Sequence, residues 1–386
     1  MNLNTFSFYD LLYPFSVVLT VSFVSTMWVT RSVLISLLCS IIKAGLFFVT
    51  YLWFFTGQVT GADDIQYIRI AIQIGQQNYT FLDLISNTEN IQDIAESSHI
   101  LYPIFNYFSM MVFGAQYFAA PAINILITVP IAYLGMKLAV AEFGFSRRNG
   151  QIFFLLLMLH PEILAWSTVF NGKEVLILLG HTLLLIGIAQ IFRGNFISGA
   201  GIIIPTLFFV TLVRFYVPAL IGVAFALYLV IHEKVFNVKK YLVFIIVIIV
   251  AIIYYYFDYF SQASNLILST LSNPIIGLPH YLLTPIPFNF DPEYIFLFFP
   301  SLYHWLLFPF SLIGFWTICR LNTKFGKFFI IYFMTFVLFY AWFEGLRGPR
   351  HRLQLQIAIA LFEYIGVVIF LTKYALAKRV SESQLA

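Results

Sequence analysis

Long apolar runs follow one another along the chain, broken by short stretches where Gly, Pro, Asn and charged residues collect. A segment crossing a bilayer must satisfy its own backbone hydrogen bonds, as a helix does, and needs about 20 predominantly apolar residues to span the hydrocarbon. On that rule the runs predict about eleven membrane-spanning helices, near residues 8–30, 32–56, 118–140, 150–169, 175–192, 197–213, 215–231, 241–258, 299–319, 328–344 and 353–374. This is the pattern of an all-α polytopic integral membrane protein, with a single transmembrane domain over residues 1–386. Two longer breaks, about 57–117 and 259–298, predict larger loops. The first carries a polar amphipathic stretch, and the second is rich in Pro and aromatics (NPIIGLPHYLLTPIPFNFDPEY). No repeat of about 20–50 residues and no inverted repeat of interrupted helices is visible, which weakens a transporter reading.

Composition sharpens the picture. Hydrophobic residues make up 61% of the chain and charged residues 10%, with a mean hydropathy of +0.90. A soluble domain is about 25% charged, so a cytosolic enzyme, a secreted domain and a nucleic-acid-binding module are excluded as classes. The 45 Phe and 23 Tyr suit lipid contact and the membrane interface. Cys39 and Cys319 stand alone in apolar runs and read as small buried hydrophobes, not as a disulfide framework or a metal cluster. Residues 1–10, MNLNTFSFYD, lack the basic stretch of a signal peptide, so the first run reads as a retained helix.

The charges set an expected orientation. Placing Arg31, Lys137, Arg147, Arg148, Arg193, Lys234, Lys239, Lys240, Arg320, Lys324, Lys327, Lys373, Lys378 and Arg379 on the cytoplasmic side assigns fourteen of the 21 basic residues to it. Twelve of the 17 acids then fall outside, giving an N-out, C-in chain. Residues 99–116, HILYPIFNYFSMMVFGAQ, are apolar enough to suggest a further crossing, but a crossing there would invert every later loop. They therefore read as a re-entrant or interfacial helix on the outer face.

The few charges left on the outer face are the candidates for chemistry. Asp63 and Asp64 follow the second span and open a helix near Ile65–Ile74. Adjacent carboxylates repel, which favours one acting as a base, and a pair can also recruit a divalent cation, Mg2+ or Mn2+, through oxygen. Equally, Asp in a first helical turn stabilises the helix N-terminus. His160-Pro161-Glu162 places a carboxylate inside a span, and such groups are functional by default. Lys173 and Glu174 read either as a charged pair for a substrate or as an exposed turn with a helix-start Glu. His181, in the next span, reads as a hydrogen-bonded structural histidine. Arg214, in RFYVP, either snorkels to headgroups or grips a phosphate bidentately. Glu344 to Arg352, EGLRGPRHR, sets Arg347, Arg350, His351 and Arg352 on the outer face against the charge trend. A phosphate or diphosphate is the natural reason, and headgroup contact is the alternative. His280 and His304 are further polar candidates, each individually closer to a structural role.

This constellation resembles the GT-C superfamily of polytopic glycosyltransferases. GADDIQYIRIA looks like the acidic pair, Tyr and Ala that open the first outer loop there. HPEILAWSTVFNGKEVLILL is similar to the family's Pro, small polar residue and charged pair before the next span. LVRFYVP looks like its mid-chain Arg and Pro turn, and GPRHRLQLQIAIAL resembles its late outer segment, with His351 where Tyr is usual. The resemblance implies a polyprenyl-phosphate or polyprenyl-diphosphate sugar donor, a glycan or lipid acceptor, and inversion at the sugar carbon. It assigns Asp63 as general base, Asp64 as its partner or a metal ligand, and Lys173, Arg214, Arg350 and Arg352 to the donor phosphate. The soluble outer domain of many relatives is missing. LLTPIPFNF also resembles polymerases of bacterial surface polysaccharides such as O-antigen, whose site would likewise face out of the inner membrane. A lipid-linked glycan flippase fits less well, because it expects charges at mid-membrane and a repeat. An acyl- or phosphotransferase lacks a paired histidine.

Overall fold

The computed structural model describes residues 6–55, 62–77, 91, 93, 94, 100–232, 271, 273–288 and 292–385, with the side chains of 62, 63, 292, 293 and 374–385 outside that description. The described elements are helical, apart from isolated bridge positions such as that between Leu271 and Phe343. Nine helical stretches among them, several joined from consecutive helical segments, are long and apolar enough to cross a membrane. They coincide with nine of the expected spans. Tyr216–His232 is a shorter apolar helix, and the expected span at 241–258 lies outside the described residues.

The chain divides into two compact units. One comprises 1–140, 145–218 and 288–300; the other comprises 141–144, 219–287 and 301–386. The first unit opens with α1 (Phe8–Thr30) and α2 (Val33–Val49), which pack closely on each other. Each start is written locally. Ser7 and Asp10 form a reciprocal capping box, the Asp10 carboxylate accepting from the Ser7 amide at 2.9 Å. Ser32 caps α2 by accepting from the Ile35 amide at 3.4 Å. The last turn of α2 widens into a π-helix, Thr50–Phe54, closed by the Phe55 amide on the Thr50 carbonyl at 2.8 Å. Next come α3 (Ala62–Gln76), α4 (Leu101–Phe113), α5 (Ala119–Glu142), α6 (Arg147–Met158) and α7 (Pro161–Thr168). At 13 residues α4 is shorter than the roughly 20 a crossing needs. The expected helix over 150–169 is in fact interrupted at Leu159–His160. A residue before proline is pushed out of the α region, and His160 sits at φ −60°, ψ 121° ahead of Pro161. The unit continues with α8 (Glu174–Phe192) and α9 (Phe196–Val213), a close antiparallel pair.

The helix α10 (Tyr216–His232) leads into the second unit, which contains α11 (Pro274–Leu283), most of α12 (Phe298–Cys319), α13 (Lys324–Trp342), α14 (Pro349–Arg352) and α15 (Gln356–Leu385). Helix α13 begins four residues before the expected span. Thr323 caps it, its hydroxyl accepting from the Gly326 amide at 3.0 Å, and the first turn carries Lys324 and Lys327, which a hydropathy criterion skips.

Lys43 shows how the first unit handles a charge inside α2. Its side chain is fully buried, with Nζ donating to the Thr128 hydroxyl and to the Ile125 carbonyl at 3.4 Å, and 3.7 Å from the Met158 sulfur. Removing one partner of a buried polar group costs more than replacing the group by an apolar one of similar shape. Thr128→Val is therefore expected to lower stability by about 1–3 kcal/mol and Lys43→Met by less than about 1 kcal/mol. Thermal unfolding in detergent checks this, and the reverse ranking contradicts it.

Candidate functional site

The first unit concentrates its buried polar side chains around one segment, Val169 to Lys173, between α7 and α8. Here the chain leaves helical geometry inside an apolar body, so its backbone and side-chain polar groups need partners from other elements. Asn171 is the hub. Its Oδ1 accepts from the Tyr102 hydroxyl at 2.7 Å, and its Nδ2 donates to Asn106 Oδ1 at 2.8 Å. Its amide donates to the Tyr117 hydroxyl oxygen at 3.4 Å. Asn124 on α5 donates to the Gly172 carbonyl at 3.4 Å, and Tyr51 on the π-turn donates to the Thr168 carbonyl at 2.7 Å. The π-helix explains this reach, since one extra residue per turn shifts which side chain faces α7.

Tyr117 couples this segment to the acidic pair. Its hydroxyl donates to Asp64 Oδ2 at 2.7 Å while its oxygen accepts from Asn171. Burial, reinforced by the Asp64 charge, holds the Tyr117 phenol well above its ordinary value, so it remains a donor through the physiological range. Asp64 is fully buried (0% exposed) at the start of α3. A solvated helix-start carboxylate would not be, so its role includes more than capping. The Asp63 side chain lies outside the described residues. One Asp64 oxygen accepts from Tyr117, and among the described residues no group of three His, Cys, Asp or Glu side chains gathers to hold a metal ion.

Lys173 and Glu174 are buried, which removes the reading of an exposed turn. Glu174 Oε1 accepts from Arg214 Nη2 at 3.2 Å, both side chains being nearly sealed from solvent. Arg214 caps the end of α9, its guanidinium 5.9 Å from the Tyr216 ring. His181 lies seven residues after Glu174 on α8, hence on the same face, and is buried. His160 and Glu162 are buried too, His160 Nδ1 accepting from the Glu162 amide at 3.3 Å. The sequence thus brings together Asp64, Lys173, Glu174 and Arg214 in one unit. It missed Tyr51, Tyr102, Asn106, Tyr117 and Asn124, which as single polar residues in apolar runs carry no spacing signal, and it noted Asn171 in the NGKE turn without giving it a role.

The basic segment of the second unit has a different environment. Arg347 donates from Nε and Nη2 to the Ala341 carbonyl at 3.0 and 2.7 Å, closing the end of α13. Arg352 is buried and donates to the carbonyls of Leu282 and Thr284, which end α11. His304 Nε2 lies 2.8 Å from the same Leu282 carbonyl, with Nδ1 3.6 Å from Glu363, and Trp305 donates to Leu283 at 2.8 Å. The last carbonyls of a helix have no intrahelical donor, and here cationic and indole side chains supply them. His351 is buried, its ring 5.2 Å from that of Tyr340, and its carbonyl accepts from Tyr281 at 3.1 Å. Arg350 is half-buried, and His280 lies exposed on α11.

Compared with known protein families, curated proteins and solved structures, the chain matches none.

Gly172 and Gly277 are among the glycines that close approach requires. A Cβ on Gly172 would sit 2.3 Å from the Glu174 carboxylate and 2.0 Å from the Phe170 ring, and one on Gly277 would sit 1.9 Å from the Ala341 carbonyl oxygen. Gly201, on α9, has open space around it. Alanine at 277 or 172 is expected to lower stability by about 1–3 kcal/mol, whereas Gly201→Ala is neutral or gains up to about 1 kcal/mol from helix propensity. Thermal unfolding of the three variants in detergent decides, and a Gly277→Ala protein as stable as Gly201→Ala contradicts the packing.

Proposed function

We propose that this protein is a membrane glycosyltransferase that moves a sugar or oligosaccharide from a polyprenyl-phosphate or polyprenyl-diphosphate donor to a glycan or lipid-linked acceptor. In this reading it works in surface-polysaccharide biosynthesis, on the extracytoplasmic face of a bacterial plasma membrane. One observation carries the proposal. A single hydroxyl, that of Tyr117, hydrogen-bonds both the buried Asp64 carboxylate and Asn171, in the segment that leads to Lys173 and Glu174, and Glu174 in turn holds Arg214. The Asp64 carboxylate and the Glu174–Arg214 ion pair, with Lys173 buried next to Glu174 in the chain, are thereby tied to one scaffold in a chain with only 10% charged residues. Such a set is costly in a bilayer unless its chemistry is used.

The mechanism follows from the roles these groups can fill. Asp63 takes the proton of the acceptor hydroxyl as that oxygen attacks the sugar carbon from the face opposite the phosphate. The bond between that carbon and the phosphate oxygen breaks, and its electron pair leaves with the lipid phosphate. Lys173 and Arg214 stabilise the charge that develops there, with Glu174 fixing the guanidinium plane. Asp64 and Tyr117 position the start of α3 against the turn, so that base and cations keep a constant separation. Every proton and electron pair in this scheme resides on the chain or its substrates.

Asp63→Asn is expected to lower sugar transfer by about 10²–10⁴-fold with unchanged expression, the usual span for loss of a general base. Tyr117→Phe is expected to give a smaller loss. The measurement is complementation of a gene-deletion strain followed by glycan profiling. Normal glycan from Asp63→Asn contradicts the base assignment. A deletion profile lacking one sugar indicates transfer of that sugar, and a lipid carrier capped with a single repeat unit indicates polymerisation instead.

A further inference from the structure

At the other end of the first unit, α1, α5 and α6 line an open cavity of about 480 Å3 formed by Trp28, Arg31, Tyr133, Lys137, Arg147 and Gln151, among others. It is distinct from the Asn171 cluster. Lys137 lies thirteen residues along α5 from Asn124, about 20 Å by helical rise. The three cations are solvent-exposed, and among the described residues no carboxylate lies within ion-pair distance of any of them. They occupy helix ends, where spans leave the apolar region: Arg31 directly after α1, Lys137 in the second-last turn of α5, and Arg147 opening α6.

The walls are built. Gln151 Nε2 donates to the Val29 carbonyl at 2.8 Å, closing α6 against the end of α1. The Trp28 and Tyr133 rings lie 5.0 Å apart, and Lys137 Nζ sits 5.4 Å from the Tyr133 ring centroid, which holds the ammonium beside the cavity. Arg31 adopts φ 56°, ψ 27°, the left-handed helix cap that Gly takes without strain. A strained backbone carrying an exposed arginine points to a use for its side chain. Val21, Val24 and Trp28 form an exposed stripe on α1 at intervals of three and four residues, with Trp28 67% exposed, so an apolar track leads away from the cations along the helix.

We propose that this cavity binds the headgroup of an anionic phospholipid, its phosphodiester held between Arg31, Lys137 and Arg147 and an acyl chain lying along Val21, Val24 and Trp28. Three cations suit any phosphate. The aromatic rim and the apolar track suit only one that carries a hydrocarbon chain, as basic pockets between membrane helices do for lipid headgroups. The site takes a bulk membrane lipid and is independent of the sugar-transfer reading.

The test is native mass spectrometry of the full-length protein in detergent, titrated with phosphatidylglycerol or phosphatidylcholine. Phosphatidylglycerol is expected to bind in preference, and excess inorganic phosphate to leave it in place. Arg31→Gln, Lys137→Gln and Arg147→Gln are each expected to weaken phosphatidylglycerol binding about fivefold, and the triple variant on the order of a hundredfold. Arg148→Gln, an exposed neighbour that does not line the cavity, is expected to match the unaltered protein. Each single variant gives the same reading if the triple variant fails to fold. Equal binding of the two lipids, or variants that bind as the unaltered protein does, overturns the proposal. Displacement of phosphatidylglycerol by inorganic phosphate assigns the cavity to a free anion and overturns the lipid assignment.

Discussion

Backbone that leaves helical geometry inside an apolar body must have its hydrogen bonds supplied by side chains, and much of this protein's scarce polarity answers that demand. The turn from Val169 to Lys173 draws on Tyr117 and Asn124 for backbone bonds, with Tyr51 on the Thr168 carbonyl just before it, while Tyr102 and Asn106 hold the Asn171 side chain. The second unit meets the same demand at the end of α11, where Arg352, Trp305 and His304 engage the carbonyls of Leu282, Leu283 and Thr284. Arg347 does so at the end of α13. Each irregular segment is therefore a rigid point to which several helices are tied.

Rigidity at these points is what a site for phosphate chemistry needs. Lys173 and Glu174 follow directly on a turn whose position is set by partners from α4, α5 and the α4–α5 connection, and Arg214 is fixed through Glu174. The Tyr117 hydroxyl, kept protonated by burial and the Asp64 charge, carries the register of α3 into the same turn. In the second unit Arg347 and Arg352 hold backbone carbonyls, which gives those two residues of EGLRGPRHR a structural explanation that the sequence does not suggest.

The spans were legible because lipid imposes a length and an apolar content that the chain obeys. The starts of α1 and α2, capped at Ser7 and Ser32, fall within one residue of the expected spans, whereas Lys324 and Lys327 hid the start of α13 at Thr323. The break at His160-Pro161 has a local cause in the proline, yet the apolar run around it masks the interruption. The polar hub was not legible. Asn106, Tyr117, Asn124 and Asn171 are scattered over 65 residues of separation between the bonded pair Asn106 and Asn171 alone, and only the fold brings them together. The same limit explains Arg347 and Arg352. Their charge against the orientation trend was visible, but neither the fold-back of Arg347 onto the Ala341 carbonyl nor the approach of α11 that brings the Leu282 and Thr284 carbonyls to Arg352 was.

A polyprenyl phosphate carrying a photoreactive group beside its phosphate tests the account most directly. Irradiated with the purified protein, it is expected to label peptides containing residues 169–174 or 214–216, and to do so less as unlabelled polyprenyl phosphate is added. Labelling that does not saturate, or that falls elsewhere and leaves both segments untouched, contradicts a donor phosphate held by Lys173 and Arg214.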